Sequence, residues 1–202
     1  MLQYKAIIFD LGNVVFNVDF KLIYKYWSEK SEVEFQKIKE YIELNKNFNL
    51  LERGDISEEQ FRKETNEKLG MNLSDKDFDE GLCSLYLDLC EGIDELLDKL
   101  KQNYRVIALS NTNSIHKRAW SVKYKDTMRK FEKIFCSNEL NTRKPEKEIY
   151  TIALSYLQLE PDEVIFLDDN EENIQAAKNL GIKTILVKSP EQMRNELEII
   201  LK

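Results

Sequence analysis

The residues of this chain that can do chemistry fall in four short stretches, three of them directly behind an apolar run. Asp10 closes Tyr4-Lys5-Ala6-Ile7-Ile8-Phe9, Ser110 and Asn111 follow Val106-Ile107-Ala108-Leu109, Lys144 sits in Arg143-Lys144-Pro145, and Asp168 and Asp169 follow Val164-Ile165-Phe166-Leu167. A phosphate monoester repels anions, so a carboxylate nucleophile needs a cation beside it. Three converging carboxylates offer the hard oxygens that Mg²⁺ prefers, and Lys144 offers a fixed charge for a transferring phosphoryl group. In this arrangement Asp10 holds the metal with one oxygen and attacks phosphorus with the other, giving an aspartyl phosphate that water hydrolyses. Asp169 is the second direct ligand, the Gly12 carbonyl helps complete the octahedron, and Asp168 ligates through water or orients. The Ser110 hydroxyl and the Asn111 amide are placed to hold the non-bridging oxygens.

Those residues need strands that end together. The runs 4–9, 104–109, 134–136, 164–167 and 184–187 read as strands, with helices over 93–103, near 116–130, 145–157 and 171–180 between them. Strands alternating with helices imply an α/β, Rossmann-like, doubly wound parallel sheet, whose carboxyl-side strand ends share one crevice. Pro145 suits the first turn of its helix and Gly181 a helix stop. Residues 14–16 read as a further extended segment after Asp10. From Asp19 to about Leu89 the apolar spacing is helical throughout, over 21–29, 32–45, 57–69 and 74–87. Ser57 with Gln60 and Ser74 with Asp77 mark helix starts, and Gly70 marks a stop. The predicted organisation is a core of residues 1–16 and 90–202, interrupted by an all-helical cap over 17–89.

Composition narrows the partners. Lys+Arg 30 against Asp+Glu 37 gives a net charge of −7, with no basic stripe, which argues against nucleic acid. No apolar stretch is long enough to span a membrane and no leader pattern opens the chain, so the expectation is a cytoplasmic protein, a monomer or weak homodimer. Cys83, Cys90 and Cys136 lack metal-site spacing and an even count, so they read as buried small hydrophobes or surface thiols. Trp27, Trp120 and Phe48 read as packing residues. In the insert, Glu52 and Arg53 are candidates to touch substrate, and His116, the single imidazole, is a candidate for proton transfer or substrate contact.

The chain resembles the haloacid dehalogenase-like hydrolases, in particular members with a helical cap inserted after the first motif. The resemblance covers nearly the whole chain: FDLGNVV at 9–15, LSNTN at 109–113, RKPEKEIY at 143–150 and FLDDNEENIQAAKNLGI at 166–182 stand in family order. ERGDIS at 52–57, SNTNSIHKRAW at 110–120 and RKPEKEIY are similar to bacterial sugar-phosphate phosphatases such as those acting on α-D-glucose 1-phosphate. The resemblance implies a Mg²⁺-dependent phosphatase for a small phosphorylated metabolite, with a sugar phosphate as first guess. One departure stands out: the usual motif is DxD, whose second Asp protonates the leaving group and activates water, and here that position is Gly12. Losing such a group costs about 10²–10⁴-fold in rate. Two alternatives follow, a weak or inactive phosphosugar-binding protein and, less favoured, a haloacid dehalogenase, for which the Asp168–Asp169 pair has no use.

Overall fold

The computed structural model describes residues 3–202. The core is a five-stranded sheet of β1 (Ala6–Phe9), β4 (Arg105–Ser110), β5 (Lys133–Cys136), β6 (Val164–Asp168) and β7 (Lys183–Leu186), in the order β5-β4-β1-β6-β7. Every neighbouring pair is parallel. Both faces are covered, so these strands are apolar along their length instead of alternating with polar residues. Successive residues still feed opposite layers. Ile7, Phe9, Val106, Ala108, Ile165 and Leu167 face one cluster with α6 (Ile93–Leu100) and α12 (Pro190–Ile200). Ala6, Ile8, Ile107, Leu109, Val164 and Phe166 face the other, with α10 (Lys147–Leu157) and α11 (Glu171–Asn179). Phe9 is fully buried, and truncating such a side chain to alanine costs about 3–5 kcal/mol.

The chain runs from β1 to β4 on one side and returns to β6 on the other, so the order reverses at β1, where an open α/β sheet forms its crevice. Phe9 pairs with Ala108 on one side and Leu167 on the other. That register brings Asp10, Ser110 and Asp168 to the same sheet edge. Beyond β4 lie α7 (Ser114–Lys123), α8 (Lys125–Met128) and, after β5, the short α9 (Ser137–Leu140).

The inserted helices α1 (Lys21–Ser31), α2 (Phe35–Leu44), α3 (Asn47–Arg53), α4 (Glu58–Leu69) and α5 (Asp75–Cys83) pack on a cluster of their own, including Ile23, Trp27, Ile38, Phe61, Phe78 and Leu82. Trp27 donates from Nε1 to the Phe78 carbonyl at 3.0 Å and is a packing residue. A Cβ at Gly81 would sit 2.3 Å from the Trp27 ring, so that helix contact requires glycine. Ser57 and Ser74 cap α4 and α5 by accepting the backbone N–H of Gln60 and Asp77, and Gly70 ends α4 in the left-handed conformation.

Four local expectations need correction. The insert is not all-helical: β2 (Phe16–Val18) and β3 (Tyr86–Leu89) pair antiparallel at its base. The apolar spacing of Phe78, Leu82 and Leu85 runs on into Tyr86 and Leu89, and so masks a four-residue strand. The extended segment after Asp10 starts later than 14, because Leu11 accepts backbone bonds from Val14, Val15 and Phe16 in a tight turn with Asn13 at φ 55°. The helix predicted over 116–130 breaks at Tyr124 into α7 and α8. Pro145 does not open α10: it precedes it, on a cis Lys144–Pro145 peptide.

Candidate active site

Asp10, Lys144, Asp168 and Asp169 meet at the carboxyl ends of β1 and β6. Lys144 is 1% exposed, and its Nζ lies 2.7 Å from Asp10 Oδ1 and 2.6 Å from Asp168 Oδ2. Such burial would ordinarily push a lysine toward neutrality; the two carboxylates outweigh it and hold Lys144 above its usual range. Asp168 is fully buried and takes two bonds from Asn173 Nδ2, both 3.1 Å, and one from the Asn170 N–H at 2.8 Å. With both oxygens engaged, it orients Lys144 and the start of α11. Asp169, more open, accepts from Asn13 Nδ2 at 3.0 Å. Asn13 adopts its left-handed backbone conformation in that turn and also accepts the Val18 N–H, so it ties the first motif to the last.

The charge balance of this cluster is incomplete. Carboxylate oxygens of Asp10, Asp168 and Asp169 lie within 4.8 Å of one another, and one ammonium serves two of them. Burial, only partly offset by Lys144, pushes Asp10 up to about 7, and burial also raises Asp169. A hard divalent cation supplies the missing charge in kind, so the donor set fits Mg²⁺. Gly12 lines the same pocket, and among the described residues its carbonyl accepts no backbone bond outside regular elements.

On the other side of Asp10, Ser110 is buried with its hydroxyl 3.5 Å from the Asn111 carbonyl, a contact at the limit of hydrogen bonding. The Asn111 side chain serves another purpose than expected. Its Nδ2 donates to the Lys144 carbonyl at 2.9 Å and its Oδ1 accepts the Lys144 N–H at 2.8 Å, which fixes the loop carrying Lys144. The Asn111 backbone N–H donates no backbone bond outside the regular elements among the described residues.

The pocket above these groups holds about 240 Å³ and is lined by Phe16, Val18, Phe20, Leu85, Tyr86 and Trp120 besides the polar residues. His116 lines it too, but it is a buried neutral ring: Nε2 lies 3.0 Å from the Leu82 carbonyl, and burial pushes its pKa down to about 4. Nε2 therefore keeps its hydrogen on the Leu82 carbonyl, and the ring holds no second, imidazolium proton at neutral pH. Trp120 donates to Thr112 Oγ1 at 3.3 Å, and Phe48 packs edge-on to Phe20 and Phe61. Arg53 is not among the pocket residues. Its guanidinium is paired with Glu146, with Asp55 at 2.8 Å, and with the Asn141 carbonyl at 3.1 Å. Consecutive residues of a helix point about 100° apart, and on α3 it is Glu52 that enters the pocket. Asn13, Asn170 and Asn173 escaped the sequence reading; only their closeness to Gly12 and to Asp168–Asp169 marked them.

A model of the haloacid dehalogenase-like hydrolases matches residues 7–187. The chain belongs to that family and is a hydrolase, and a phosphatase is among its full-length relatives. The D-ribitol-5-phosphate phosphatase of Bacteroides thetaiotaomicron is 26% identical over 98% of both chains. The crystal structure of a haloacid dehalogenase-family enzyme from B. thetaiotaomicron, in complex with magnesium and inorganic phosphate, superposes with a TM-score of 0.81 at 33% identity, covering 93% of this chain and 96% of that one. The structure of a predicted haloacid dehalogenase-like family hydrolase from Porphyromonas gingivalis superposes at a TM-score of 0.87 with 24% identity, covering 99% of this chain and 98% of that one, a likeness of fold.

Proposed function

We propose that this protein is a Mg²⁺-dependent phosphatase, acting in the cytoplasm on a small phosphorylated metabolite of the sugar or polyol phosphate class. The observation that carries the reading is Lys144 seated between Asp10 and Asp168 while Asp169 stays open to the pocket. Asp10, Asp169 and the Gly12 carbonyl would hold the metal, which when bound polarises the phosphoryl group and lowers the repulsion between it and Asp10. Lys144 directs one Asp10 oxygen and leaves the other to attack phosphorus. The Ser110 hydroxyl and the Asn111 N–H donate to the phosphoryl oxygens as charge builds there. The Asp10–phosphate bond forms as the ester P–O bond breaks, the leaving oxygen taking a proton from solvent water to depart as the alcohol, and water then cleaves the aspartyl phosphate, returning Asp10 and releasing inorganic phosphate.

The organisation that serves this chemistry is a core of 1–16 and 90–202 with 17–89 as cap. Two full-length likenesses, a polyol phosphate phosphatase and a magnesium–phosphate complex, support the substrate class and the metal. The test is phosphate release from sugar phosphates, polyol phosphates and p-nitrophenyl phosphate, with Mg²⁺ and with EDTA, by wild type and Asp10→Asn. Metal-dependent release that Asp10→Asn abolishes is the expected result. Equal background from both proteins would replace the enzyme with a phosphate-ester-binding protein.

A further inference from the structure

Glu52 takes no part in the steps above, yet it is placed as if for a ligand. It is 7% exposed and lines the pocket from the end of α3. Its Oε2 accepts from Arg143 Nη2 at 2.8 Å and Nε at 3.2 Å, while among the described residues Oε1 accepts no hydrogen bond. Oε1 is open to the pocket and is therefore the acceptor that Glu52 offers to whatever enters it. Four of the pocket's donors are engaged elsewhere, Asn13 on Asp169, Asn173 on Asp168, His116 on Leu82 and Trp120 on Thr112, and the Tyr86 hydroxyl, which also lines the pocket, makes no hydrogen bond to Glu52 among the described residues. Phe16, Val18, Phe20 and Leu85 have none to give.

The missing donor can be specified. Arg143 already balances the charge of Glu52, so a ligand ammonium is not required, and a ligand carboxylate would face the free Oε1. A neutral O–H fits. Its position is set by the chain: Arg143 directly precedes Lys144, whose ammonium touches the nucleophile. The hydroxyl therefore belongs to the carbon chain of the leaving group. The pocket's apolar residues, Phe16, Val18, Phe20 and Leu85, suit the C–H face of such a chain.

We propose that Glu52 is a specificity-determining residue: its Oε1 accepts a hydrogen bond from a leaving-group hydroxyl and selects phosphate esters of polyhydroxylated chains over deoxy or carboxylated ones. Arg143 is its positioning residue. The inference rests on the phosphatase reading and deepens it.

The experiment compares kcat/KM for D-ribitol 5-phosphate with that for pentyl phosphate, the same five-carbon chain without hydroxyls, in wild type, Glu52→Ala and Glu52→Gln. Glutamine keeps the size but turns its one acceptor toward Arg143. In both variants the ribitol-to-pentyl ratio is expected to fall about 30-fold, the scale of one hydrogen bond to a charged group. An unchanged ratio, whether or not both rates drop, overturns the proposal, since a structural or proton-transferring Glu52 would affect both esters alike. If wild type released phosphate from neither ester nor from p-nitrophenyl phosphate, the phosphatase reading would fail by itself. Calorimetry with Mg²⁺ then decides on Glu52: weaker binding of ribitol 5-phosphate by Glu52→Gln, with inorganic phosphate bound as in wild type, supports it, and equal binding of the ester overturns it.

Discussion

The floor and the roof of the pocket are built from opposite materials. The floor is charged and stands on the strand ends of a buried parallel sheet, where Lys144, Asp10 and Asp168 are fixed by bonds of 2.6–2.7 Å. The roof is largely apolar, comes from α3, α7, the β2–β3 ribbon and the residues flanking it, and holds one neutral imidazole and one arginine-paired carboxylate. The difference separates the two tasks of the site. A rigid, polar floor suits a phosphoryl group common to all substrates, and a mixed roof suits the part that varies.

The contrast can be broken at either end. Asp10→Asn should have the largest effect, lowering kcat about 10⁴-fold or more for every ester tested, measured by phosphate release. A loss confined to some esters would mean that the floor is not generic. The next effect is on stability. Metal-free protein carries two opposing pH slopes. Asp10, raised to about 7, favours the folded state while protonated, so its contribution is lost as pH rises from its ordinary 3.8 toward 7. His116, lowered to about 4, resists protonation when folded, so stability is lost as pH falls from 6.5 toward 4, by up to about 3 kcal/mol. Denaturant melts of Asp10→Asn should therefore show stability rising from pH 4 to 6.5, and melts of His116→Gln should show it falling. Parallel slopes in both variants would contradict the assignment. Mg²⁺ competes with the proton on Asp10, so its affinity, read by calorimetry, should increase from pH 6 to 8.

Gly12 lies where the two regions meet. A Cβ there would meet Val18 Cγ2 at 3.6 Å, ordinary contact, and the backbone is not left-handed. Gly12→Asp should thus fold and, if the missing acid limits turnover, raise kcat for poor leaving groups about 10²-fold while changing p-nitrophenyl phosphate little. No gain would locate the proton source elsewhere. The smallest effect is expected from Arg53→Ala, whose partners are surface groups: less than about 1 kcal/mol in a melt and little change in kcat/KM.

The same division governs what the sequence revealed. Asp10, Ser110, Lys144 and Asp168–Asp169 were legible because the sheet register makes residues behind separate apolar runs converge, so a one-dimensional pattern encodes a three-dimensional site. Glu52 and Arg53 could not be told apart in the sequence because neighbours on a short helix differ only by rotation, and α3 carries too few residues to show which face is inward. The ribbon strand Tyr86–Leu89 was hidden by the helical spacing before it. That the Asn111 side chain holds the Lys144 loop was not legible, because its bond runs to the backbone of Lys144, 33 residues on, a contact no local pattern records.

The ribbon also bears on how such a chain is assembled. Phe16 pairs with Leu89 and Val18 with Tyr86, so the insert leaves the core within a strand's width of where it entered. For the core, sixty-odd residues of cap therefore count as a single tight turn between hydrogen-bonded neighbours, whatever their length or order. A cassette with its ends already clasped can change length without stretching the floor, while the part of the roof supplied by His116 and Trp120 of α7 stays with the core.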